Sequence, residues 1–275
     1  MIPERAPKRV VVLALDASPH SLAALEAGAE VAVAMHAELR GVFIEDINLM
    51  RTAELPFSQA VSLAGSVAPL DREAMRHGLQ RRADIARIAL QATAVRMRLI
   101  WSFDVVRGSV ADELLRASTL ADLMTLGRSG WSQHRAGLGS TTRSLLEEGS
   151  SSLLFAEHGQ KLGTPIAVIY DGSDAARRAL GIAASLVRGG SGQVIVILDR
   201  NAPEGRAHEA STLLMGLGVT GIKFQNLLRI DAQALSDVLR SSQTKGVLIP
   251  ASAGIDSKGI ARVLELVRCP AMVVR

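Results

Sequence analysis

The sequence has a single cysteine and very few aromatic residues: five phenylalanines, two tryptophans and one tyrosine in 275 residues, or 3% of the chain. The lone Cys269 has no partner for an internal bridge. That excludes a disulfide-stapled fold and favours a reducing, cytoplasmic setting. With so few rings, the 48% hydrophobic content is mostly Ala, Val, Leu and Ile, which suits thin helices packed closely on a buried sheet. No uninterrupted apolar run approaches the roughly 18 residues of a membrane span. The opening Met1-Ile2-Pro3-Glu4-Arg5 lacks the basic-then-apolar layout of a secretory signal. A formal net charge of +4 is small for this length, and neither half concentrates Lys and Arg as a nucleic-acid surface would. The expected partners therefore include neither nucleic acid nor membrane. No Gly-x-Ser-x-Gly elbow occurs, which argues against that class of hydrolase. His20, His36, His77, His134, His158 and His208 show no metal-like spacing.

What the chain does contain is one pattern written twice. Arg9 to Leu15 is a continuous aliphatic run ending at Asp16, as in a central parallel strand buried on both faces. Asp16-Ala17-Ser18-Pro19 then supplies turn and N-cap chemistry for an Ala-rich helix from Ser21 to about Met35. About 155 residues further on, Pro165 to Tyr170 ends at Asp171, and Asp171-Gly172-Ser173-Asp174 opens a second Ala-rich helix. Each copy continues as alternating helices and strands, which implies parallel sheets with right-handed crossovers. The expected fold is thus α/β: two tandem Rossmann-like domains, each a five-stranded parallel sheet with helices on both faces. The boundary is expected in the polar stretch 157–163, giving a first domain at 1–158 and a second at 159–275.

Two features distinguish the first copy. Residues 46–70 have no counterpart in the second; Leu49, Met50, Leu55 and Phe57 make this insertion too apolar for a simple solvated loop. It reads as a lid over a neighbouring site, as a surface for a partner, or as a helical flap packed permanently on the sheet. The fourth strand is followed by Gly127-Arg128-Ser129-Gly130, an eight-residue stretch from Trp131 to Leu138, and then Gly139-Ser140-Thr141. Glycines at a strand end let backbone approach a ligand, and a helix opening at Gly139-Ser140 offers free N–H groups to an anion. The alternative is that the glycines turn the chain and Ser140 caps a helix. Arg128 and Arg135 are either further phosphate contacts or solvated loop residues.

The segment is neither a Walker A loop nor a dinucleotide fingerprint, since the lysine is missing and the position is wrong. With an Asp ending the first strand, it resembles the universal stress protein family, specifically its tandem-domain members, and the resemblance spans nearly the whole chain. That family's ATP-binding pattern, Gly-x2-Gly-x9-Gly-Ser/Thr after the fourth strand, is matched in kind and order by Asp16, Gly127, Gly130, Gly139 and Ser140, with a loop one residue shorter. The resemblance implies that Asp16 and the backbone of Val42 face adenine and ribose. Gly127, Gly130, Gly139, Ser140 and Thr141 would face the phosphates of ATP or a related adenine nucleotide, with or without Mg2+. It further implies a stress-response regulatory protein rather than an enzyme, at most a weak ATPase, with no catalytic residues and no structural metal. The alternative is a scaffold of the same fold acting through protein contacts alone, with an unidentified partner. The fifth strands, 152–156 and 271–274, are edge candidates that would pair inside one chain as a pseudo-dimer, and a homodimer is compatible with that arrangement. In the second copy Pro250 stands where Gly127 stands, and Asp256 precedes the following helix. The expectation is at most one nucleotide per chain, in the first copy.

Overall fold

In the computed structural model of the protein, the described residues are 9–54, 59–61, 67–69, 72–127, 139–157, 160, 162–187 and 192–275. The first half of the chain runs β1 (Val10–Ala14), α1 (Pro19–Met35), β2 (Glu38–Asp46), α2 (Ile47–Glu54), β3 (Gln59–Val61), β4 (Val67–Pro69), α3 (Arg72–Met97), β5 (Trp101–Gly108), α4 (Val110–Ser118), β6 (Leu123–Gly127), α5 (Ser140–Glu148) and β7 (Ser152–Ala156). The second runs β8 (Ile166–Ile169), α6 (Asp174–Val187), β9 (Gln193–Asp199), α7 (Arg206–Gly216), β10 (Gly221–Leu227), α8 (Ala232–Ser241), β11 (Val247–Pro250), α9 (Ser257–Leu266) and β12 (Ala271–Val274).

Ten of these strands form one sheet in the order β10-β9-β8-β11-β12-β7-β6-β1-β2-β5. Pairing is parallel within each set of five. The fold class is therefore the expected one, and the two five-stranded sheets are continuous rather than separate. They join where β12 runs antiparallel to β7, Met272 opposite Leu154. The central strands carry residues that are almost entirely buried, such as Val11, Leu13, Val168 and Ile197. That is why they read as continuous apolar runs instead of alternating ones.

Helices cover both faces. On one, α1, α3, α6 and α7 enclose a cluster around Leu13, Leu39, Leu90, Val168 and Leu180. On the other, α4, α5, α8 and α9 enclose Met124, Leu145, Phe155, Ile249 and Val263. Both layers cross the β7–β12 seam, because α1 packs on α6 and α5 on α9.

Local chemistry explains the element ends. Ser18 caps α1: its Oγ accepts from the Ser21 N–H at 3.1 Å, and Pro19 takes the first turn, where its missing N–H costs nothing. His36 closes α1 in a left-handed conformation. Asp231 caps α8 by accepting from the N–H groups of Gln233 and Ala234.

Residues 46–70 are not simple loop. Asp46 still belongs to β2, α2 follows directly and packs on α3, and β3 pairs antiparallel with β4. Met50 packs against the α1/α3 cluster, whereas Leu49 is 40% exposed. Leu55 and Phe57 lie outside the described residues.

The close helix–sheet packing rests on small residues. A Cβ at Gly28 of α1 would lie 2.6 Å from Leu13 Cδ2 and 2.7 Å from Thr125 Oγ1, whereas at Gly181 of α6 nothing lies within 4 Å. Gly28→Ala should therefore destabilise by about 1–3 kcal/mol through overpacking. Gly181→Ala should stabilise by about 0.5–1 kcal/mol through helix propensity alone. Urea denaturation of both variants checks the pair of signs.

Candidate functional site

In an open α/β sheet, ligands bind beyond the carboxyl ends of the strands, where consecutive crossovers leave toward opposite faces. In the first half that point is the gap between the adjacent strands β1 and β6. The chain leaving β1 enters α1 on one face, and the helix after β6, α5, lies on the other. Asp16 follows β1 and Gly127 ends β6, so the topology brings these two sequence-predicted residues to one crevice.

The β1–α1 turn is built around the Asp16 carboxylate. Its Oδ1 accepts from the Ser18 N–H at 2.8 Å, and the Asp16 N–H reaches Ser21 Oγ at 3.4 Å. Ser18 and Ser21 are both buried, and Ser21 Oγ donates to the Ser18 carbonyl at 3.1 Å. Between Asp16 and Ser18, Ala17 sits at φ 60°, a left-handed conformation that costs a residue with a Cβ roughly 1–2 kcal/mol. At the corresponding place in the second half Gly172 adopts φ 81° without that cost.

Gly127 has a packing role. A Cβ there would come within 2.9 Å of the His20 carbonyl carbon and 3.0 Å of the Ser21 nitrogen, so the glycine lets the first turn of α1 approach the end of β6. Val42 is level with Ala14, the last paired residue of β1. It does not end its own strand, because β2 stays paired with β5 as far as Asp46 opposite Gly108. Its carbonyl already accepts from the Leu15 N–H at 3.0 Å, and its side chain is buried. Gly139 is the N-cap of α5, in an extended conformation, with no side-chain hydrogen bond to the cap. Ser140 is exposed, Thr141 half-buried and Thr142 buried. Gly130 lies outside the described residues, as do Arg128 and Arg135.

Strand register makes the comparison with the second half exact in position. Gly127 is level with Ala156 of β7, and Pro250 is level with Val274 of β12. About the antiparallel seam, where Leu153 opposes Val273 and Phe155 opposes Ala271, Ala156 and Val274 correspond. Pro250 therefore occupies the Gly127 position, and the segment leading to the next helix is 251–256 instead of 128–139.

Three internal contacts fill the second crevice. Asp256 caps α9, its Oδ1 accepting from the Gly259 N–H at 2.7 Å. A carboxylate thus holds the place an incoming anion would take. Ser252 Oγ donates to Asp171 Oδ2 at 2.7 Å and lies 2.6 Å from Ser173 Oγ, while the Ser173 N–H donates to Asp171 Oδ1 at 2.8 Å. Arg206 presses its guanidinium against Gly172, sits 5.9 Å over the Tyr170 ring and pairs with Glu209 at 3.0 Å. Burial, followed by the facing Glu209 carboxylate, pushes the Tyr170 hydroxyl up to about 12. Burial alone would raise the Asp171 carboxyl, but the bonds from Ser173 and Ser252 outweigh it and hold it below its ordinary value. Among the described residues no cluster of His, Cys, Asp or Glu could hold a metal ion, and no helix is long and apolar enough to cross a membrane. Sequence reasoning had Asp256 and Pro250 but missed Ser252 and Arg206, whose roles depend on contacts 81 and 34 positions away.

No family model matches the sequence, and no curated protein matches it significantly. Solved structures do match. A universal stress protein from Archaeoglobus fulgidus DSM 4304 superposes with a TM-score of 0.67 at 15% identity, covering 97% of this chain and 98% of that one. A protein of unknown function from Pseudomonas aeruginosa PAO1 gives 0.58 at 14% identity, covering 98% and 92%. A universal stress protein solved in complex with cAMP aligns with 42% of this chain and 98% of its own, with a TM-score of 0.37 at 16% identity. At these identities the likeness is one of fold: the chain has the Rossmann-like fold of universal stress protein structures over 97% of its length.

The Asp171 network gives a pH test. Its folded-state pKa is depressed, so its contribution is fully present above the unfolded carboxyl value of 3.8 and is lost as pH falls through the folded one. Asp171→Ala should cost about 1–3 kcal/mol at pH 7 by removing the charged acceptor of two bonds. The gap between variant and parent in denaturant titrations should narrow as the pH is taken below 3.8.

Proposed function

We propose that the chain is a tandem member of the universal stress protein family that takes up one adenine nucleotide, ATP or a close relative, in its first half. It would act in the cytoplasm as a stress-response regulator rather than as an enzyme. In this reading the two halves form a pseudo-dimer, as domains 1–158 and 159–275. Asp16 and the Val42 region meet the adenosine, and Gly127, Gly130, Gly139, Ser140 and Thr141 meet the phosphates. A Mg2+ ion, where present, would travel with the nucleotide and neutralise its charge.

The observation that carries the reading is the contrast between the two equivalent helix starts. α5 opens at a glycine that, among the described residues, has no side-chain cap and nothing within 4 Å of its Cβ position. α9 opens at an aspartate that fills the same place with its own carboxylate. An open helix start offers N–H groups and the positive end of the dipole to phosphate oxygens. The crevice at the carboxyl ends of β1 and β6 supports the same reading. A regulatory role, rather than catalysis, is what the resemblance to the universal stress protein family implies.

The direct test is to denature the purified protein, identify released adenine nucleotide by mass spectrometry, and titrate the emptied chain with ATP in a calorimeter. One site per chain is expected, untouched by Asp171→Ala. A clean spectrum with no ATP heat would favour the nucleotide-independent scaffold, and two sites per chain would refute the asymmetry.

Two substitutions sharpen the assignment. Ser140→Ala should weaken ATP binding by about 1–3 kcal/mol, the worth of a hydroxyl bonded to a charged oxygen, while leaving adenosine nearly unaffected. Gly139→Asp copies the second half into the first. It should abolish ATP binding while stabilising the fold by a few tenths of a kcal/mol, the usual gain of aspartate over glycine at an N-cap.

A further inference from the structure

We infer that Arg275 is a positioning residue for the phosphate end of the first-half site, which it serves by gripping α5 from the opposite half of the molecule. The inference rests on the nucleotide reading above. Arg275 directly follows β12, and its guanidinium reaches across the seam to donate to three carbonyls: Leu145 at 3.0 Å, Leu146 at 2.7 Å and Ser151 at 2.8 Å. Leu145 and Leu146 lie in the last turn of α5. The Leu145 carbonyl also accepts from the Gly149 N–H at 3.0 Å; the last carbonyls of a helix run short of partners within it, and a cation at that end complements the dipole.

Everything around this side chain serves the grip. Its own N–H donates to Ser152 Oγ at 3.2 Å, and its carbonyl accepts from Arg178 Nε at 3.0 Å, so the backbone is held on both sides. The C-cap of α5 is Gly149, where a Cβ would stand 3.1 Å from Arg275 Nη1 and 2.5 Å from the Leu145 oxygen. The glycine thus leaves the space that the guanidinium fills. Arg275 is half-buried, and burial lowers its pKa.

The grip is one-sided. The seam register that equates Ala156 with Val274 equates Glu157 with Arg275. Glu157 is acidic, cannot donate to helix carbonyls, and instead accepts from Gln160. Among the described residues, the clamped helix is the one with the open N-terminus, and it is short. Nine residues span about 13 Å, so fixing its last turn fixes where its first turn, Ser140 to Thr142, presents its N–H groups. The second half, with its own crevice closed, acts as the clamp for the first.

The test uses the full chain and the variants Arg275→Ala and Arg275→Lys. Calorimetry with ATP and with adenosine is paired with hydrogen exchange over residues 140–148. Arg275→Ala should weaken ATP binding about fivefold or more, leave adenosine binding unchanged, and speed exchange in α5 ahead of the rest of the first half. Arg275→Lys, which keeps the charge but not the fork of donors, should recover part of the loss. Unchanged ATP affinity, or an equal loss for ATP and adenosine, overturns the positioning role while the nucleotide reading stands. A parent chain that takes up no ATP overturns both.

Discussion

An open parallel sheet leaves unpaired N–H and C=O groups along its edge strands, and half a chain of this kind has two such edges. The pairing of Leu153, Leu154 and Phe155 with Val273, Met272 and Ala271 removes one edge from each half at a stroke. It also sets the rest of the architecture. Once the two sheets are one, α1 has to meet α6 and α5 has to meet α9, so both apolar layers become continuous across the seam. The α1–α6 and α5–α9 contacts extend that cover across the seam. The Ala-rich composition suits this arrangement, since α1 is pressed between the sheet, α3 and α6 and buries Ala24, Ala27, Ala29 and Ala32 there.

Against that shared frame the halves have diverged in one kind of interaction: what satisfies the polar groups at the carboxyl ends of the strands. In the second half the protein answers its own demand, with Ser252 on Asp171, Asp256 on α9 and Arg206 over Tyr170. In the first, Gly139 contributes no side chain, and Ala17 holds a left-handed turn that a glycine would adopt without strain. Backbone strain of this kind persists only where the surrounding structure over-determines it, and it clusters at ligand and active sites.

Much of the fold was legible in the sequence. Strands buried on both faces show as unbroken apolar runs, and Asp16-Ala17-Ser18 and Asp171-Gly172-Ser173 announce helix starts because a short polar side chain can bond the next turn's N–H. The less legible parts share a cause. α9 begins at Ser257, ahead of Gly259, because Asp256 caps the turn that contains the glycine. Val42, placed at the ligand by the resemblance, lies within a strand that β5 keeps paired for four more residues, and that pairing depends on a neighbour 62 positions away. The short strands β3 and β4 are below the length at which alternation can be read. Of the candidate site, Asp16, Gly127 and the Gly139 helix start were visible, whereas the contact between Gly127 and the first turn of α1 was not. Arg275 showed no signal at all, since a terminal-strand arginine looks solvated until its register against α5 is known.

The antiparallel sense of the seam has a consequence for how this molecule is addressed. Because β7 and β12 run in opposite directions, the strand tips of the first half point toward one pole of the molecule and those of the second toward the other. The two crevices thus do not share a face, and a body resting against one has no view of the other. Arg275, gripping α5 at its far end, lies at the second pole. A body docking beside β12 there would touch the root of α5 without approaching the crevice, so the molecule has a separate handle and mouth.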